Sequence, residues 1–440
     1  MFDHTIAAIA TGEIDAAISI VRLSGDDAVS VVNRIFSTDL TDAEGYTIHH
    51  GMILDHSQPV DDVLVTVFRA PASYTGEDIV EINCHGGVFV TRKVLRLCLG
   101  NGAKMARRGE FTERAFLNGK MDLSQAEAVN DLIHAHDQLN ADSAIHSVKG
   151  SIRKLLDPLT ESLIQIIAQI EVNIDYPEYD DVEELTNQII LPQAREWTRQ
   201  LEEIIDQAEK ATYIRAGINT VILGKPNVGK SSLLNALLEE EKAIVTDVAG
   251  TTRDIVEGSV RVGNVTLNLV DTAGIHETDD VIEGMGIERS LNALKKAQLV
   301  IVVLDSSNID EEDEKLMAMT EGYPRIIVYN KSDLHQIEGT LSVSARTREI
   351  DELRKAIEEK FADELRIAGS DTLNNERQIG LAREAYNAMQ DAVASMEAGH
   401  EIDLVTIDLQ KAYDALKAIT GEATREGLLD EIFSRFCLGK

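Results

Sequence analysis

The chain has 440 residues, 44% hydrophobic and 27% charged, which fits a globular protein of about three domains and excludes a fibrous or membrane-spanning one. Asp and Glu number 76 against 42 Lys and Arg, a formal net charge of −34. That balance excludes binding of nucleic acid over a generally basic surface, so any RNA contact needs a local patch or a basic second protein.

Cys84, Cys98 and Cys437 lack the spacing of a zinc site or a disulfide framework, which fits a reducing compartment. Met1-Phe2-Asp3-His4 has no basic, apolar leader, and the longest aliphatic run, Leu299 to Leu304, is far too short to span a bilayer. A cytoplasmic protein without membrane association is expected.

Residues 1 to about 118 mix strands with turns. Ile18–Leu23 and Val63–Phe68 read as strands, and Gly86-Gly87 punctuates the second half. A small α+β domain is expected. From about 121 the texture is helical: Ser124-Gln125-Ala126-Glu127 reads as a capping box, and Leu163, Ile166, Ile167 and Ile170 form one apolar stripe. The acidic run Asp175 to Asp181 reads as a solvated helix connection, with a metal site as the other reading.

Between about 213 and 365 strands and helices alternate, which predicts a parallel sheet covered on both faces. Val221–Leu223, Leu267–Val270, Val300–Val303 and Ile326–Val328 are the strands. After about 370 the chain is helical to its end. The fold class is therefore multidomain α/β. Residues 1–118 form an N-terminal α+β domain, 119–212 and 370–440 a discontinuous helical domain, and 213–369 an inserted Ras-like phosphate-loop domain.

That inserted region carries the chemistry. Gly224-Lys225-Pro226-Asn227-Val228-Gly229-Lys230-Ser231 lies between a strand and a helix that continues through Ser232, the context a phosphate loop requires. Its backbone amides can close around phosphates, Lys230 offers a point charge to the β and γ oxygens, and Ser231 offers a hydroxyl to Mg²⁺. Asp271-Thr272-Ala273-Gly274 stands at the end of the next strand, where a carboxylate faces Mg²⁺ and the Gly274 amide faces the γ-phosphate.

Asn330-Lys331-Ser332-Asp333 follows the strand Ile326–Val328. Asp333 can accept two hydrogen bonds from guanine, a donor pair that adenine lacks, and the Lys331 stem can lie along the base. Ser344-Ala345-Arg346 sits where a backbone amide would meet guanine O6. Order and spacing point to a GTPase, with an ATPase as the other nucleotide reading. The usual water-orienting glutamine is missing. Its position holds His276, which reads as an exposed residue or a catalytic one, and no nearby Arg is an obvious finger, with Arg253 left open by the sequence.

Thr246-Asp247-Val248-Ala249-Gly250-Thr251-Thr252-Arg253-Asp254, with Asn227, resembles the potassium-activated GTPases. Gly109 to Phe116 and the terminal Phe436-Cys437-Leu438-Gly439-Lys440 are similar to the bacterial tRNA-modification GTPase family MnmE, also called TrmE. The resemblance covers essentially the whole chain.

It implies a K⁺ ion in place of an arginine finger, held by Asn227, Thr246, Val248 and Thr251, with Thr252 joining Ser231 on Mg²⁺. Glu283 would orient the water. In the N-terminal domain, Arg22, Glu81, Lys120 and Lys440 would bind a one-carbon folate, 5,10-methylenetetrahydrofolate or a formyl-tetrahydrofolate. Two departures stand out: Thr11 to Ala17 where the family has a Gly- and Pro-rich segment, and Arg108 where it has proline.

Cys437 reads either as a nucleophile beside the folate or as a small apolar residue packing the last helix against Phe433 and Phe436. His85 and Cys84 read as shaping a turn. The implied activity is GTP hydrolysis coupled to modification at C5 of a wobble uridine in tRNA. The partners are a second copy of the chain and the flavoprotein MnmG, in a heterotetramer. Two other classes remain open at this point: a GTP-dependent ribosome-assembly switch, and a folate-responsive regulatory protein.

Overall fold

Alternation of apolar and polar residues builds the first sheet from Ile6–Ile9 (β1), Ile18–Ser24 (β2), Thr47–Asp55 (β3), Gln58–Phe68 (β4), Ile79–His85 (β5) and Lys104–Met105 (β6). The spatial order is β3-β4-β5-β2-β1-β6, antiparallel throughout except for the short parallel β1/β6 pair. The coordinates are a computed structural model, which describes residues 4–175, 186–240, 256–270, 294–295, 297–400, 402–422, 426–437 and 439.

Ala28–Asn33 (α1) and Val88–Gly100 (α2) cover one face of this sheet. Ala7, Ile9, Val21 and Leu23 bury there with Val94, Leu95 and Cys98 of α2. Because side chains alternate along a strand, the even-numbered residues Ile6 and Ala8 face the other way, against Ala106 and Phe111. The predicted strand Val63–Phe68 is the second half of β4. Its hairpin with β3 turns at His56 and Ser57, both at positive φ (46° and 71°). That backbone usually carries Asn or Gly, so its start carried no turn signal.

Glu110–Leu117 (α3), Leu123–Ile133 (α4), Gln138–Val148 (α5), Ser151–Asp175 (α6) and Leu191–Ala216 (α7) follow, with a π turn at Thr186–Ile190 before α7. The expected capping box lies two residues earlier than read. Asp122 is the N-cap of α4, its side chain accepts from the Gln125 amide, and the Gln125 side chain returns to the Asp122 amide. Ser124 lies within the helix and donates to Asp122 instead of capping, while Asp122, on an extended backbone, brings its carboxylate to the N3 amide. In α6, Leu163, Ile166 and Ile170 are fully buried and Ile167 partly so. Trp197 donates its indole N–H to Leu159 O at 2.8 Å within this bundle. The acidic run after Asp175 lies outside the described residues.

The second sheet comprises Ile218–Leu223 (β7), Val256–Val262 (β8), Val265–Val270 (β9), Leu299–Asp305 (β10) and Arg325–Asn330 (β11), ordered β11-β10-β7-β9-β8. Four strands are parallel, as expected, and β8 adds an antiparallel edge through a hairpin with β9. Lys230–Glu240 (α8), Glu311–Met319 (α9), Asp351–Lys360 (α10) and Ala362–Ala368 (α11) accompany it. Alternate residues of β10 serve separate cores: Ile301 and Val303 bury with Leu233 and Leu267, while Val300, Val302 and Leu304 bury with Leu294. An apolar strand between two covered faces follows from this.

Glu376–Glu397 (α12), Ile402–Thr420 (α13) and Glu426–Ser434 (α14) complete the chain, and α13 packs along α6. Contacts gather the chain into two units: Met1–His134 with Ala144–Trp197 and Leu381–Lys440, and Ala135–Ser143 with Thr198–Gly380. No described helix is long and apolar enough to cross a membrane.

Candidate functional sites

In the second unit, the chemistry gathers at the C-terminal ends of β7, β10 and β11. The phosphate loop leaves β7 and enters α8 at Lys230. Asn227 (φ 63°) and Gly229 (φ 96°) take left-handed backbone within it. A side chain at Gly224 would lie 2.4 Å from Val303 O, and one at Gly229 would lie 2.2 Å from Asn330 Nδ2. The loop therefore closes only with glycine at both places. Lys230 Nζ donates to the Gly224 and Lys225 carbonyls, both at 2.8 Å, and burial lowers the pKa of its ammonium. Val228 is buried, Ser231 half-buried and Ser232 exposed.

Asn330, 3% exposed, joins the phosphate side to the base side. Its Nδ2 donates to Val228 O (2.8 Å) and its Oδ1 accepts from the Ala345 amide (3.0 Å). The Ala345 amide, one candidate for a base contact, is thus committed to Asn330. Asp333 accepts from the fully buried Ser344 hydroxyl at 2.8 Å, which aims the carboxylate, and Arg346 is exposed beside it. Lys331 (φ 67°) pairs with Asp305 at 2.6 Å. Burial works against ionised Asp305, but hydrogen bonds from Lys331 and Ser307 overcome it and lower its pKa.

The sequence reading missed a tether on the phosphate loop itself. Lys225 Nζ lies 2.7 Å from both Asp310 Oδ2 and Asp313 Oδ2. Asp313 is fully buried in the first turn of α9, and Asp310 caps that helix. The hydrogen bonds that Lys225 donates to the two carboxylates raise its pKa, and Lys225 holds Asp310 below the ordinary carboxylate range. An acidic helix start after β10 and a Lys in the phosphate loop were both visible in sequence, but nothing there paired them.

Thr246, Asp247, Val248, Ala249, Gly250, Thr251, Thr252, Asp271, Thr272, Ala273, Gly274 and Glu283 lie outside the described residues, as do Arg253 and His276. Of the residues expected around Mg²⁺ and K⁺, Ser231 and Asn227 are described. Both present hard oxygen donors at the loop, which suits such ions.

The first unit holds a second constellation. Arg22 and Glu81 are direct cross-strand partners on β2 and β5, joined by Nε–Oε1 at 2.7 Å. They occupy the sheet face opposite α1 and α2, with Arg22 5.7 Å from the centre of the Phe111 ring. Arg22 Nη1 also donates to Gly439 O at 3.4 Å. The tail is pressed in because a side chain at Gly439 would lie 2.4 Å from Ile9 O. The chain end thus arrives at Arg22, while Lys440 itself lies outside the described residues. Lys120 Nζ donates to Pro71 O at 2.9 Å, on the loop whose Thr75 bonds Ser24 at 2.7 Å, one step along the same face of β2.

Phe433 and Phe436 bury with Leu123 and Ala126, but Cys437 is exposed, so it does not pack the helix. Gly109 (φ 68°) meets the Cys437 carbonyl through its amide at 3.5 Å. His85 Nδ1 lies 2.7 Å from Asp61, and Cys84 is buried behind it. Phe111, in sequence only one residue of the segment Gly109 to Phe116, proves to be the ring beneath Arg22.

Two family models match the chain: "MnmE helical domain" over residues 123–437 and "GTP-binding protein TrmE N-terminus" over residues 5–120. The chain is similar to the tRNA modification GTPase MnmE of Geobacillus thermodenitrificans (strain NG80-2), at 47% identity over 457 residues and 99% of each chain. It is 46% identical over 454 residues to that of Bacillus cytotoxicus, again covering 99% of each. Among solved structures, the FeoB G-domain of Methanococcus jannaschii aligns over 33% of this chain and 99% of its own, at 24% identity and a TM-score of 0.24.

Proposed function

The chain belongs to the MnmE family of tRNA modification GTPases, and from that premise we propose that it is a K⁺-dependent GTPase serving modification at C5 of the wobble uridine with a one-carbon folate. The observation that carries this is the coexistence of two built sites in one chain. One is a phosphate loop locked to a guanine-type base site through Asn330. The other is an Arg22–Glu81 pair over Phe111, closed by the C-terminal tail.

At the nucleotide, Lys230 draws charge off the β and γ oxygens, and Asp333, aimed by Ser344, selects guanine. Ser231 with Thr252 would hold Mg²⁺, and Asn227 with Thr246, Val248 and Thr251 would hold K⁺. Bound there, the ions supply positive charge where it develops in the transition state. Glu283 orients the attacking water. At the folate, Glu81 suits the amino edge of the pterin, while Arg22, Lys120 and Lys440 suit carboxylates. Cys437, exposed, would be the nucleophile toward the carbon that the folate carries.

The working assembly is a cytoplasmic homodimer joined to a MnmG-like flavoprotein. The division into 1–118, 119–212 with 370–440, and 213–369 is proposed as its domain plan. Two measurements test the proposal. GTP turnover should fall when K⁺ is replaced by Na⁺, and equal rates would refute the ion assignment. Mass spectrometry of tRNA from cells lacking the protein should show unmodified wobble uridine, and unchanged nucleosides would refute the modification.

A further inference from the structure

β10 is the central strand of the second sheet, paired with β7 on one side and β11 on the other. The phosphate loop leaves β7 and the base loop leaves β11, so whatever leaves the end of β10 stands between them. That piece of chain runs from Asp305 to Asp313, in the first turn of α9. It belongs to none of the nucleotide motifs, yet it grips both loops.

On the base side, Asp305 lies directly across from Asn330 in the β10/β11 register. Its Oδ2 accepts from the Lys331 ammonium at 2.6 Å, and its Oδ1 accepts from the Ser307 amide and hydroxyl at 3.0 and 2.6 Å. Ser306, which is buried, donates its amide to Asn330 O at 3.0 Å and its hydroxyl to Lys331 O at 3.2 Å. Lys331 is thereby held by its backbone and by its side chain. A φ of 67° is a region that lysine rarely occupies, and such backbone persists only where the surroundings enforce it.

On the phosphate side, the same piece of chain ends in Asp310 and Asp313, both 2.7 Å from Lys225 Nζ. Asp313 is fully buried and also accepts from the Asp310 amide at 3.2 Å, so its carboxylate has a fixed place. Losing Lys225 would strand that buried charge. The Lys225 carbonyl in turn accepts from Lys230 Nζ at 2.8 Å, which carries the link from Asp313 to the lysine that meets the phosphates.

We propose that Asp305–Asp313 is a brace of the nucleotide site: Asp305 is a positioning residue for the base, acting through Lys331, and Asp313 is one for the phosphates, acting through Lys225 and Lys230. Asn330 already links the two loops directly, through Val228 and Ala345. The brace is a second link, made by different side chains. It rests on the nucleotide-site assignments above. A segment that merely supported the fold would affect every guanine nucleotide alike, whereas two positioning residues divide the effect by nucleotide part.

The test uses the full-length protein, with affinities for GMP, GDP and a non-hydrolysable GTP analogue read by displacement of mant-GDP. Asp313→Asn should weaken GDP and the analogue about ten-fold, and GMP, which has no β-phosphate, by less than about two-fold. Asp305→Asn should weaken all three about five-fold, since each carries the base. In GTP turnover, Asp313→Asn should lower kcat more than it raises KM, because Lys230 acts on charge that grows in the transition state. Asp305→Asn should do the reverse. Asp310→Asn cuts the more exposed arm on the same lysine and should repeat the Asp313 pattern at about three-fold, which keeps the test open if Asp313→Asn does not fold.

Equal losses across the three nucleotides in both variants would overturn the proposal, as would unchanged affinities in both. The two levels separate. A wild type that bound no GDP would remove the nucleotide site and the brace with it. If the wild type binds GDP and the variants lack this pattern, the site stands and the brace is wrong.

Discussion

The two sheets of this protein place chemistry in opposite ways. In the antiparallel sheet, polar residues sit on a strand face: Arg22 and Glu81 are neighbours across β2 and β5, in line with Ala8 and Thr66. In the parallel sheet both faces are covered, the strand Leu299–Leu304 is buried throughout, and every polar group of the site lies at a strand end or beyond it. A sheet with one open face can carry a site in mid-strand, whereas a sheet covered on both sides must send its site to the loops.

That contrast can be broken most sharply at Asp333. Two hydrogen bonds from guanine to a carboxylate contribute about 1.5–3 kcal/mol each, so Asp333→Ala should cut GDP affinity by about 10²–10⁴-fold in calorimetric titration. A change under three-fold would mean that the strand-end loops do not read the base. On the strand face, Arg22→Met removes one charge-assisted partner and should weaken tetrahydrofolate binding by about ten- to a hundred-fold, with GTP turnover unchanged. If turnover fell equally, the two sites would not be separable as described.

The Lys225 tether is the next smaller effect. Lys225→Met should weaken nucleotide binding about ten-fold, with Lys225→Arg retaining most of the affinity. The difference should be flat from pH 6 to pH 9. Asp310 is held below its ordinary pKa, so its contribution is complete above about pH 4 and is lost only at lower pH. Lys225 is raised, so its contribution is lost only at high pH. An affinity difference that changed within that window would point to another titrating group.

The least perturbing comparison uses the thiols. Burial pushes Cys84 and Cys98 up to about 12. Iodoacetamide at pH 8 should therefore modify the exposed Cys437 in the native protein and reach the other two only after unfolding. Labelling of Cys84 at the native rate of Cys437 would contradict the burial of that face.

Legibility differed between the sheets for the same reason. Continuous apolar runs such as Val300–Val303 announced the buried parallel strands, and loops at their ends had to contain the motifs. The strand start at Gln58 was hidden, because His56 and Ser57 take positive φ without a glycine or asparagine to signal it. The helix start at Asp122 was placed two residues late, since Ser124 satisfies the same capping pattern and only geometry separates them. Cys437 followed its aromatic neighbours in sequence but not in space.

By itself the sequence determined which residues can bind phosphate, select guanine and pair charge, because those properties belong to residue types and short spacings. It also determined that a −34 chain must concentrate any RNA contact. Only tertiary structure decided which charges meet. Lys225 finds Asp313 across 88 positions, Arg22 finds Gly439 across 417, and Asn330 reaches back to Val228 across 102. Such partners are fixed by strand order and by glycines that leave no room for a side chain, and no local pattern records either.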